Sequence, residues 1–135
     1  MTAKEYLSRI RKFDMVIQNK LAEYQQINSM VYSVSVPVAG DKVQTSGGSD
    51  KMSNAVVKMV DIEKSLEYFI SERSKIVSQI EAVGDVDLYD VLAKRYILGL
   101  SNKEIAYEKK TEERTVTNLL KEAHDEFERL FLTFP

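Results

Sequence analysis

The residues whose types and spacing could do chemistry sit late in the chain. Glu113, Arg114, Thr117, Asn118 and Lys121 share one side of a helical stretch whose other side is Val116, Leu120 and Ala123. A guanidinium matches the two acceptors of guanine in the major groove, and a carboxamide matches the donor and acceptor of adenine. Arg114, Thr117 and Asn118 are therefore the candidates for reading base edges, with Glu113 and Lys121 beside them. Lys103, Lys109 and Lys110 lie just upstream and could hold phosphates, which positions a protein on a duplex without specifying sequence. This is recognition chemistry rather than catalysis.

The remaining reactive residues make no convincing set. Glu122, Asp125 and Glu126 are carboxylates at helical spacing, but a catalytic pair needs burial or a shaped cleft, and a solvated face is the expectation. His124 is the sole histidine and is expected to be solvated; Glu128 alone cannot complete a metal site with it. The chain has no Cys, which excludes disulfides and thiolate zinc. The stretch Lys42, Gln44, Thr45, Ser46, Gly47 and Gly48 lacks the order of a phosphate-binding P-loop. With no nucleophile, base and orienting group, the expectation is a protein that is not an enzyme, with no cofactor and no metal.

The elements that must position these residues follow from local signals. Leu88, Val91, Leu92, Arg95 and Tyr96 give a face to a helix over about 87–98, which Gly99 should end in a left-handed cap. Ser101 and Glu104 form a capping box that opens a short helix over 102–109, with Ile105 and Ala106 as its core residues. A turn at Lys110 and Thr111 leads to a helix over 112–131, capped by Thr111 or Glu112. Its buried side is Val116, Leu119, Leu120, Ala123, Phe127, Leu130 and Phe131. A short helix, a tight turn and an amphipathic helix make a helix-turn-helix, which places its second helix in the major groove.

Here the chain resembles a known family. Gly99-Leu100-Ser101, Glu104-Ile105-Ala106, Thr115-Val116, Leu120 and Ala123 are similar to the region-4 helix-turn-helix of sigma factors and of LuxR-type regulators. The start MTAKEYLSRIRKFD and the stretch PVAGDKVQTSGGSDKM also resemble a family of small prophage proteins of Gram-positive bacteria, similar in layout to the ArpU and RinA groups of phage transcription regulators. The resemblance implies transcription control in a phage or prophage setting, with double-stranded DNA and RNA polymerase as partners. The turn departs from the pattern. Lys109 and Lys110 replace an apolar residue and a Gly, Thr111 takes the next apolar position, and Leu119 and Glu122 stand where Arg is frequent. From Asp85 onward there are eight Lys/Arg against eleven Asp/Glu, a net of −3, so this part alone should bind phosphates weakly.

Upstream, Thr2 and Glu5 suggest a capping box for a helix over about 3–30, whose stripe includes Ala3, Leu7, Ile10, Phe13, Ile17, Leu21 and Tyr24. At about 1.5 Å per residue it would be roughly 40 Å long. A Gly- and Ser-containing loop spans about 33–50, where Tyr32, Val34, Val36 and Val38 alternate as an extended stretch would. A second helix over about 51–82 carries heptads, with Met52, Met59, Leu66 and Ile80 in one position and Ala55, Ile62, Phe69, Ile76 and Val83 in the other; Val56 and Ile70 widen the stripe and Arg73 interrupts it.

The expected fold is all-α: a coiled-coil-like helical hairpin over 1–83, then a DNA-binding unit over 85–135. A homodimer through the hairpin is expected, since one such unit with little positive charge needs a second half-site. No leader-like run or 20-residue apolar span is present among the 135 residues, so no membrane and a cytoplasmic setting are expected. Two rival functions fit the same layout: a DNA-packaging protein like small terminase subunits, and a protein-interaction module that never touches DNA.

Overall fold

The computed structural model describes residues 1–35 and 46–133, and among these the chain is all-helical, with no strand. It forms two compact units, Met1–Asp14 with Ser71–Pro135, and Met15–Ile70. No helix among the described residues is long and apolar enough to cross a membrane.

In the first unit, helix α1 (Ala3–Leu7) begins where the sequence predicts, with the Thr2 side chain accepting the Glu5 N–H at 3.1 Å. The Ala3 N–H is held by Glu128 Oε1 at 2.9 Å. The helix expected to run on to Met30 is broken at Ser8. Ser8 Oγ donates to the Lys4 carbonyl at 2.6 Å, and the Arg11 N–H reaches back only three residues, to the Ser8 carbonyl. A serine that hydrogen-bonds its own preceding turn bends a helix in this way.

Helix α2 (Arg9–Ser35) and helix α3 (Ser46–Glu81) both outrun their predicted limits. Tyr32 and Val34 lie in helical backbone rather than in an extended stretch; Val36 and Val38 lie outside the described residues. Helix α3 takes in Gly47 and Gly48, each costing about 1 kcal/mol relative to Ala, because elongating an existing helix adds a hydrogen bond per residue. Arg73, the break in the heptads, has an ionic partner: its Nε donates to Asp14 Oδ1 at 2.5 Å. Tyr6 donates its hydroxyl to Gln79 at 2.6 Å. These two pairings fix an antiparallel register, since the earlier residue of one helix meets the later residue of the other.

In the second unit the register is also antiparallel, with Tyr24 donating to Glu63 at 2.9 Å and Lys58 3.4 Å from Glu23. Ile62 is buried, and Met52, Ala55, Met59, Leu66 and Phe69 are half-buried, as the heptads predict. Leu21, Val56 and Ile70, read as part of the stripes, are exposed instead.

Helix α4 (Val86–Leu92) is capped by Asp85, whose carboxylate accepts from Asp87 and Leu88 N–H groups. It continues as a π-helical turn, Ala93–Ile97, closed by the Leu98 N–H on the Ala93 carbonyl. Gly99 follows at φ +74°, the left-handed cap its type predicts. Helices α5 (Asn102–Lys109) and α6 (Glu113–Phe127) complete the unit, and α6 runs into a second π-helical turn, Glu128–Leu132. Helix α6 is the centre of the packing, contacting α1, α4 and α5. One core joins Ala3, Leu7, Ile10, Ile76, Ile80, Val83, the α4 face and the inner side of α6. Phe127 is wholly buried there, with the Tyr6 ring 5.8 Å away and the Phe131 ring 4.9 Å away. Leu130, predicted to lie inside, is 39% exposed, because the π turn rotates the end of α6 off its earlier face.

Candidate nucleic-acid interface

The site is built from α5, the turn after it, and α6. The capping box at the start of α5 is complete. Ser101 Oγ accepts the Glu104 N–H at 3.1 Å, and Glu104 Oε1 accepts the Ser101 N–H at 2.9 Å. Those bonds, the backbone one foremost, stabilise the ionised form and hold the Glu104 carboxyl below its usual pKa. Ile105 and Ala106 are buried in the common core, so the small Ala lets α5 seat close against α6.

The turn is closed without glycine. Lys110 takes φ +55° and ψ +47°. Its N–H bonds the Tyr107 carbonyl at 3.2 Å, and the Thr111 N–H bonds the Ala106 carbonyl at 2.9 Å. This is the Schellman arrangement that satisfies the last carbonyls of a helix. Of the two predicted caps for α6, Glu112 holds the position, with no side-chain capping bond.

The inner side of α6 is Val116, Leu120, Ala123 and Phe127, all buried. Leu119 and Phe131 are half-buried. Opposite them, Glu113, Arg114, Thr117, Asn118 and Lys121 are all exposed on one helix, together with Glu122 and Asp125. Thr117 already donates its hydroxyl to the Glu113 carbonyl at 3.1 Å, leaving its oxygen lone pairs as the outward function. Of the later acids, Glu126 is paired with Arg129, and Glu128 holds the Ala3 N–H.

Of the three lysines expected to hold phosphates, Lys103 and Lys110 are exposed. Lys109 is half-buried, its Nζ 2.7 Å from Asp90 Oδ2, while Lys94 takes Asp90 Oδ1 at 2.5 Å. Burial alone would raise the Asp90 pKa. The hydrogen bonds from Lys109 and Lys94 and their charges outweigh it, and the carboxyl lies below its usual range. The charge of Lys109 is thus already engaged.

His124 is not the solvated side chain expected. It is half-buried, with Nε2 2.7 Å from the Tyr96 hydroxyl. Burial holds the imidazole pKa down; Glu128 and Asp125 pull it up, and Lys4 and Arg95 push it further down. Burial also raises the Tyr96 phenol to about 12. Arg95 is half-buried and sends Nη1 to the Leu100 carbonyl at 2.9 Å. The Tyr96–His124 link spans 28 positions of sequence, and helical spacing gave no sign of it.

Beside this pair lies a cavity of about 370 Å³, lined among others by Lys4, Arg95, Asn102, Thr117 and Lys121. Asn102 Oδ1 is buried with no hydrogen-bond partner. No group of three or more His, Asp or Glu side chains that could hold a metal occurs among the described residues.

Fold and site together define an all-α protein with an exposed polar helix face on a buried apolar one. No protein-family model, no curated protein and no solved structure gives a significant match to the chain.

Proposed function

We propose that this protein is a DNA-binding transcription regulator that acts through α5, the Lys110 turn and α6 as a sigma region-4-like helix-turn-helix. The observation that carries this reading is the exposed row Arg114, Thr117, Asn118 and Lys121 on a helix whose opposite face is locked into the core. A side chain reads a base edge only if it stands clear of its own protein while its helix is held rigidly. The assignment to phage or prophage genes rests on the sequence resemblance.

The negative charge of residues 85–135 calls for help with affinity. A homodimer supplies it by presenting two half-sites, and apolar side chains stand exposed on both helices of the second unit, Leu21, Val56, Val57 and Ile70 among them. A second reading, a protein-interaction module, draws on Tyr107 of α5, which is 86% exposed.

The test is selection of bound duplexes from a random pool at fixed salt, with the mass of the protein measured in the same buffer. Arg114→Ala and Asn118→Ala should each lower affinity for the selected site by about 1–3 kcal/mol and relax specificity at one position. A pool that yields no enriched sequence, with binding indifferent to salt, rejects the regulator reading in favour of the interaction module. Ring-sized assemblies would instead favour DNA packaging.

A further inference from the structure

We propose that the outward face of α3 in the second unit pairs antiparallel with the same face of a second copy of this chain, across a two-fold axis level with Ile62 and Glu63. Val57, Val60, Lys64 and Tyr68 follow at steps of three and four residues, with Asp61 beside them, so they share one side of the helix. Ala55, Ile62 and Leu66 each stand two positions from one of these, about 200° away round the helix. Those three form the inward side, Ile62 buried and the other two half-buried. The outward residues are all exposed, Val57 at 57%, Val60 at 42% and Tyr68 at 58%. This part of α3 therefore carries apolar side chains on two opposite faces, and the hairpin covers one.

The charges on this face say what covers it. Asp61 and Lys64 stand exposed at its middle, and neither side chain makes an ion pair or hydrogen bond with a described residue. The antiparallel axis sets Asp61 of one copy against Lys64 of the other, twice. It likewise sets Val57 against Tyr68, twice, because the members of each pair lie equally far from the axis on either side. The face is then its own complement, as a contact between like surfaces requires. A parallel pairing would set Asp61 against Asp61 and Lys64 against Lys64, and like charges brought together are disfavoured. An unrelated partner calls for no such self-match. Among the described residues of the second unit, Ile62 is the only one buried. Helices in proteins draw most of their stability from packing, so this unit gains from a second pair of helices.

This face gives the homodimer of the proposed function its surface, and it rests on that homodimer, not on DNA binding. It uses no residue of the exposed row on α6, so self-association and DNA contact are separately testable.

The experiment measures the mass of the full-length protein by sedimentation from about 1 to about 100 µM, a range that reaches well beyond a micromolar Kd. The parent should approach twice the 15.5 kDa of one chain. Asp61→Lys leaves two lysines at the middle of the face, and Lys64→Asp leaves two aspartates. Each variant alone should dimerise at least tenfold more weakly while staying as helical as the parent by circular dichroism. An equimolar mixture of the two should recover the parent's affinity, since both ion pairs return between unlike chains. The chain has no Cys, so Val57→Cys and Tyr68→Cys each add a single thiol. A short bismaleimide should join these two variants to each other when mixed, and neither to itself. A helical parent that stays monomeric overturns the proposal. So do charge variants that dimerise like the parent, a mixture that does not recover, and Val57→Cys chains that cross-link to themselves, the mark of a parallel pairing. A dimer of this kind without DNA binding keeps the interface and removes the regulator reading; DNA binding by a monomer does the reverse.

Discussion

The hydroxyl of Tyr96 stands 2.7 Å from Nε2 of His124, so the chain's single histidine bonds α6 to the turn that follows α4. A neutral imidazole suits this half-buried place, and burial lowers its pKa from the ordinary 6.5. The unfolded chain thus binds a proton more readily than the folded one, and stability rises with pH across that interval. The contribution is complete above about pH 6.5 and is lost as pH falls through the lower folded value. The melting temperature should drop between about pH 7 and pH 5, before the carboxylates near their ordinary pKa of about 4 protonate. His124→Gln should flatten that part of the profile. A variant that keeps the same slope would assign it to other groups.

Lys110 holds a left-handed conformation at φ +55° that costs a residue with a Cβ about 1–2 kcal/mol. Lys110→Gly should stabilise the protein by about 0.5–1 kcal/mol, the relief being partly offset by the greater entropy of the unfolded Gly chain. Urea melts measure this. If Lys110 also holds a phosphate, the same change should reduce the slope of log affinity against log salt by about 1 while the fold grows firmer. A stability gain with an unchanged slope would mean that Lys110 serves the turn alone.

Gly99 and Arg11 are matched in shape. A Cβ added at Gly99 would lie 1.7 Å from Arg11 Nη1, and φ is +74°. Gly99→Ala should destabilise by about 1–3 kcal/mol, combining the backbone strain with displacement of the guanidinium. Adding Arg11→Ala removes only the second part. The double variant should therefore be less damaged than the sum of the single ones, a non-additivity that a double-mutant cycle reads directly.

Much of this architecture was legible in local sequence. The Ser101–Glu104 box, the Gly99 cap and the Val116, Leu120, Ala123, Phe127 face all rest on spacings of three or four residues, and the helix fixes those geometrically. The exposure of Arg114, Thr117 and Asn118 was legible too, as the complement of that face. What escaped depended on distant partners. Lys109 looked like a free cation because Asp90, nineteen residues earlier, cannot be paired with it from sequence. His124 looked solvated because Tyr96 is twenty-eight residues away. Ser8 is polar and ordinary in a helical pattern, and its bond to the Lys4 carbonyl competes with helix continuation in a way that periodicity does not register. Leu130 fits the 3.6-residue repeat of α6 and comes to the surface because a π turn replaces that repeat.

Asp90 holds two lysines at once, Lys94 at 2.5 Å and Lys109 at 2.7 Å, all three side chains half-buried. Asp90→Asn keeps the shape of the side chain and removes its charge, so one lysine faces an NH2 group and loses its acceptor while the other keeps a bond to a neutral oxygen only, and stability should fall by about 1–2 kcal/mol. The same change raises the net charge of residues 85–135 from −3 to −2 and frees Lys109, which ends α5 beside the Lys110 turn. Affinity for a duplex of arbitrary sequence should therefore rise at low salt, with the salt slope steeper by about 0.9 for each phosphate newly neutralised. Stability and DNA affinity should thus move in opposite directions in one variant. If affinity falls along with stability, Lys109 has a purely structural role and the phosphate contacts must come from Lys103 and Lys110 alone.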